Sequence, residues 1–145
     1  PRHVWDEEGA NWIRSGPTKC ALKKIEYSDK MNKEYLIDIL RHYRSLQGRL
    51  TVDCLGITRD STGCYLIVMK YYRENLYSHL KNGTKYLHWK DIVNMLHKIA
   101  NGLKQIHDHK LYHGNLHGGN LMIEHTIEGI HVRISDIGLH RNSSA

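Results

Sequence analysis

Apolar positions recur along this chain at two different periods, and the switches between them lay out its elements. Over residues 18–25 apolar and polar side chains alternate, which predicts a strand with Ala21 and Lys23 on one face and Cys20, Leu22 and Lys24 on the other. Over 31–46 the period lengthens to that of a helix. Tyr35, Ile39, Tyr43 and Leu46 line its apolar side, and Ser28-Asp29 is placed to cap its start. Residues 52–58 and 65–69 are apolar runs around Asp60-Ser61-Thr62-Gly63, the composition of a hairpin turn. A short helix is expected over 75–80, closed by Asn82-Gly83. The clearest helix follows over 90–109, striped by Ile92, Met95, Leu96, Ile99, Leu103 and Ile106. Two short strands, 121–123 and 130–134, flank a turn at Gly129. Residues 1–17 show no period and are expected to be a polar loop containing Trp5 and Trp12.

The order strand, helix, hairpin, helix, long helix, loop, hairpin predicts an α+β fold. A division is expected near residues 71–73, giving a first unit over 1–71 and a second over 72–145. At 145 residues the chain is long enough to bury a real core. Its 40% apolar and 25% charged content is that of a globular protein. The net charge of +6 raises the question of nucleic acid, but the 21 Lys and Arg are scattered and no run of five occurs, so no polyanion-binding arm is expected. No stretch approaches the ~20 apolar residues of a membrane span, and no signal peptide opens the chain at Pro1. The three cysteines form no C-x-x-C pair, which points to reduced thiols and an intracellular, cytoplasmic setting. Twelve histidines invite a metal reading. However, His107 and His109, or His113 and His117, are joined by no cysteine or carboxylate at zinc-site spacing, so no zinc site is expected.

The specific signal lies near the C-terminus. His113-Gly114-Asn115-Leu116-His117-Gly118-Gly119-Asn120 is followed sixteen residues later by Asp136-Ile137-Gly138. Upstream stand Cys20-Ala21-Leu22-Lys23-Lys24 and the run Leu66-Ile67-Val68-Met69-Lys70-Tyr71-Tyr72. These segments, in this order, resemble a protein kinase domain of the tyrosine-kinase-like type. The resemblance implies an incomplete bilobal kinase fold, with part of the small β-rich lobe and the start of the helical large lobe. It implies ATP and Mg²⁺ as cofactors and a protein substrate or signalling partner; nothing in the residues sets an oligomeric state. In that likeness Lys23 meets the nucleotide phosphates and Asp38, or Glu34 if the register shifts, orients Lys23. Ala21 leaves room for a purine and Met69 lies behind it, while the backbone of Lys70, Tyr71 and Tyr72 meets its edge. Asn120 and Asp136 hold the metal, and Asn115 occupies the position of the catalytic base.

Several departures bear on activity. Asn115 replaces an aspartate, and an amide does not accept a proton usefully. General-base contributions of ~10²–10⁴ amount to about 2.7–5.4 kcal/mol of barrier, so phosphoryl transfer is expected to be impaired. Gly114 stands where the family has an arginine, and Ile137 where it has a phenylalanine; the chain has no Phe at all. No G-x-G-x-x-G precedes Lys23, and the chain ends at Ala145, soon after Asp136. A piece of a kinase domain is expected, with helix faces that lack partners. Two further readings stand beside an impaired kinase: a catalytically silent nucleotide-binding or scaffold module, and a non-functional fragment.

Overall fold

The computed structural model describes residues 3–6, 11–14, 16–46, 50–82, 87–127 and 129–137. The fold is mixed α+β, as the alternating periods require. Its first element corrects the expectation of a loop over 1–17. β1 (His3–Asp6) and β2 (Asn11–Arg14) pair antiparallel, setting Val4 opposite Ile13 and Trp5 opposite Trp12. β-branched and aromatic residues favour a ladder even inside a polar segment too short to show alternation.

β3 (Cys20–Lys24), β4 (Cys54–Arg59) and β5 (Tyr65–Lys70) form an antiparallel sheet with β5 in the middle. Central position and apolar composition go together: Ile67 of β5 is completely buried. α1 (Lys33–Ser45) contributes Leu36, Ile39 and Tyr43 to the same core, with Ile25, Val52, Cys54, Ile67 and Met69. The side chain of Tyr35, expected on that stripe, lies outside the described residues. α1 starts later than expected because its cap is Asn32, whose side chain accepts the Glu34 N–H at 3.1 Å. Ser28, the expected cap, is instead buried. Its hydroxyl donates to the Ile25 carbonyl at 2.6 Å and accepts from the Tyr65 N–H at 2.7 Å, tying the end of β3 to β5.

Next come β6 (Glu74–Asn75), α2 (Leu76–Lys81), α3 (Trp89–Asp108), β7 (Leu121–Thr126) and β8 (Gly129–Ile134), with β7 between β6 and β8 in a second sheet. The expected end of α2 includes Gly83, which lies outside the described residues. α3 lies on β8 and builds a second core from Met95, Ile106, Leu121, Ile123, Val132 and Ile134. The helix comes close because Gly102 has no side chain there: a Cβ would sit 2.7 Å from Ile134 Cδ1 and 3.3 Å from Leu50 Cβ. Leu96, expected in the buried stripe, is 59% exposed. Residues 95, 99, 102 and 106 form the face turned to the hairpin, and one step along a helix rotates a side chain by about 100°.

The two cores are joined by residues 50–52. Val52 N–H donates to the Ile134 carbonyl at 3.0 Å, Ile134 N–H to Leu50 at 2.9 Å, and the Thr51 hydroxyl to Leu46 at 2.7 Å. This seam places the residues after β8 directly beneath the first sheet.

Candidate functional site

Where the seam meets β3 and β5 there is a cleft of about 290 Å³. It is lined from above by Ala21, Lys23 and Met69, along one edge by Tyr71 and Tyr72, and from below by Asn120 and Asp136. Ala21 and Met69 are direct cross-strand partners, so one face of the ladder presents both to the cleft. Lys23 is two residues beyond Ala21 on the same face, as period-two alternation requires. Its ammonium donates to Asp136 Oδ2 at 2.9 Å.

Asp136 is buried and takes a positive φ of 60°. That backbone state disfavours most side chains and is tolerated best by Gly, Asn and Asp, so the residue type and the turn suit each other. The loop before it is held by a chain of hydrogen bonds. His113, 3% exposed, donates from Nε2 to the Ser135 carbonyl at 2.7 Å and accepts the Asn115 N–H on Nδ1 at 3.3 Å. Asn120 Nδ2 donates to the Asn115 carbonyl at 3.0 Å, while the Ser135 N–H and hydroxyl both reach the Asn120 carbonyl, at 2.9 and 3.1 Å. The loop carrying Asn115 and Asn120 is thus tied to the segment sixteen residues on that carries Asp136, through its neighbour Ser135. With Nδ2 committed, Asn120 keeps Oδ1 as its remaining side-chain donor atom. The Asp136 carboxylate and the Asn120 amide oxygen are both hard oxygen donors in chemical type.

Asp38 is not brought to the site. It lies exposed on α1 and pairs with Arg41 at 3.1 Å, and Glu34 lies at the exposed helix start, hydrogen-bonded to Asn32. The reason is rotational. Leu36, Ile39 and Tyr43 turn toward the sheet, and Asp38, one residue before Ile39, points away from it. The carboxylate that pairs with Lys23 is Asp136 instead.

Lys70 lines the cleft together with Tyr71 and Tyr72. Its N–H is taken by the Asp53 carbonyl at 3.0 Å, and its ammonium pairs with Glu124, which Arg133 also holds at 3.1 Å. The bonds from Lys70 first, and then Arg133, hold the Glu124 carboxyl below its usual pKa. Past the ladder, Tyr71 and Tyr72 continue the cleft edge that Lys70 begins. Burial pushes the Tyr72 hydroxyl up to about 12.

Val52, Leu22, Gly119, Met122 and Ser135 also line the cleft and were not foreseen. Met122 had a usable signal: between buried Leu121 and Ile123 on a strand, it must face the other way. Tyr43 had none. It is 1% exposed, and its hydroxyl lies near the backbone of Asp136 and Ile137 without forming a hydrogen bond of good geometry. Burial, followed by the Asp136 charge, raises its pKa well above the ordinary tyrosine range. Gly138, last of the Asp136-Ile137-Gly138 turn, lies outside the described residues.

Residues 6–145 match the sequence profile of the family described as protein tyrosine and serine/threonine kinase. The chain belongs to the protein kinase family. Among curated relatives, serine/threonine-protein kinase TAO3 of Rattus norvegicus is 31% identical over 81% of this chain and 13% of its own length. Serine/threonine-protein kinase TAO2 of Xenopus laevis is 29% identical over 81% of this chain and 11% of its own length. Mitogen-activated protein kinase kinase kinase 13 of Mus musculus is 28% identical over 87% of this chain and 12% of its own length. The chain thus spans about an eighth of the length of these relatives. Protein kinases generally use ATP with Mg²⁺, and the apolar upper wall and oxygen-lined floor of the cleft fit that pair chemically.

Proposed function

We propose that this kinase-family chain binds ATP with Mg²⁺ in the cleft between Ala21 and Asp136, and transfers phosphoryl groups to protein hydroxyls slowly. The observation that carries this reading is the hydrogen-bonded framework of Asn115, Asn120 and Ser135 beside Asp136, and Asn115, an amide where the family resemblance sets the base, supports slow transfer. In the proposal Lys23 meets the phosphates, Tyr71 and Tyr72 border the base, and Asn120 and Asp136 hold the cation. A bound Mg²⁺ would neutralise phosphate charge; the chain's own part is to position the nucleotide and exclude water. Gly114 supports regulation that does not rely on an arginine reading a phosphorylated loop. The names of the relatives support a serine/threonine acceptor.

A second reading, a silent nucleotide-binding scaffold, is favoured by one contact. The Lys23–Asp136 pair occupies both charged groups that the nucleotide and its cation would need, and no α1 carboxylate draws Lys23 aside. Phosphoryl transfer from ATP to a generic protein acceptor separates the two. Slow transfer by the native chain, raised ~10²–10⁴-fold in Asn115→Asp, is the expected result. No transfer by either, with ATP still bound, assigns the scaffold role.

A further inference from the structure

A second cavity, about 680 Å³, opens beside the chain leaving β5, and Glu74 and His125 are in its wall. His79 joins them from α2. The three side chains come from three elements. The imidazole Nδ1 of His79 lies 2.9 Å, and Nε2 of His125 lies 3.1 Å, from the same carboxylate oxygen, Glu74 Oε1. All three atoms fall within 4.8 Å of one another. Among the described residues, no lysine or arginine pairs with Glu74. Its carboxylate is met by two imidazoles alone, and those bonds, His125 first, lower its pKa.

We propose that Glu74, His79 and His125 form a divalent transition-metal site whose occupant is zinc. Two imidazoles and one carboxylate are a recurrent three-ligand zinc set, with water in the fourth place. Metal–ligand bonds of about 2.0–2.1 Å at tetrahedral angles put ligand atoms roughly 3.3 Å apart. The two distances to Oε1 are already near that value, and modest rotation of His125, 62% exposed, brings in the third. Imidazole donors select against Mg²⁺ and Ca²⁺, which distinguishes this site from the oxygen-lined cleft. In the metal-free form each ring donates its N–H to the carboxylate. Each ring would bind the metal through the nitrogen that faces Glu74 Oε1, with its other nitrogen carrying the N–H. The bound ion would pin β6 and α2 to β7, immediately after Tyr71 and Tyr72.

Sequence spacing conceals this site, since His79 is five residues from Glu74 but His125 is fifty-one away. The test uses the whole chain. Zinc is titrated calorimetrically against a competing chelator, and Co²⁺ serves as a spectroscopic probe. One equivalent of zinc, a four-coordinate cobalt absorption and a raised thermal midpoint are expected. Each of His79→Ala and His125→Ala should weaken binding more than about tenfold, while His107→Ala leaves it unchanged. His125 is exposed enough that its variant keeps the fold, so a folding failure in His79→Ala does not blunt the test. Absence of stoichiometric binding, or binding that survives His125→Ala, overturns the proposal and leaves adventitious histidine binding only.

Discussion

Asn115 and Tyr43 show how differently single residues in one site become visible. Asn115 was legible because a loop motif fixes its neighbours by local spacing; its N–H donates to His113 Nδ1 and its carbonyl accepts from Asn120 Nδ2. Tyr43 was legible only as one apolar residue of a helix stripe. Its place against the backbone of Asp136 depends on how α1 docks, which no local pattern encodes. A buried hydroxyl without a well-formed partner forfeits its hydration for little return. Tyr43→Phe is therefore expected to leave stability unchanged or raise it by up to about 1 kcal/mol in denaturant titration. A loss of 2 kcal/mol or more would mean the hydroxyl is well bonded after all. Asp38 lies in solvent, paired with Arg41, for a related reason: each step along a helix turns a side chain through about 100°, and which α1 residues face the cleft is set only by how the helix docks.

At the scale of elements, long periodic segments were read almost to the residue, as with α3 against the expected 90–109. The β1–β2 hairpin was missed because four-residue strands carry too few positions to establish a period. Within α3 the pattern was ambiguous in a different way. Trp89, Val93 and Leu96 make a second apolar line beside the buried one, and only the β7–β8 hairpin decides between them. Ile106→Ala is expected to cost about 2–5 kcal/mol, and Leu96→Ala under about 0.5 kcal/mol, in urea or thermal unfolding. Similar losses at both positions would contradict the assigned face. The Lys70–Glu124–Arg133 cluster ties β5 to the same hairpin and carries a pH signature. Because folding lowers the Glu124 pKa from 4.5, its contribution is fully present above that value and is lost as pH falls through the folded one. Glu124→Gln should lower the thermal midpoint at pH 7 and converge with the native chain in acid. A constant gap across the whole range would exclude this linkage.

For the whole molecule, the α+β class followed from element order and the kinase family from the resemblance of its motifs, whereas the meeting of Glu74, His79 and His125 followed from neither. The difference is physical. The kinase loop and turn carry short-range backbone constraints, including the positive φ at Asp136, whereas a site assembled across β6, α2 and β7 exists only once the chain has folded. In the proposed function a nucleotide lies between the two cores joined by the 50–52 seam, at the cluster of Lys23, Asn120 and Asp136. The most direct test is the thermal midpoint of the chain with ATP, with and without Mg²⁺. Ligand at 100 times its dissociation constant adds about 2.7 kcal/mol of stability. An upward, Mg²⁺-dependent shift that disappears in both Lys23→Ala and Asp136→Ala is expected. A cooperative transition that ATP and Mg²⁺ leave unmoved, or a shift that both variants retain, would contradict it.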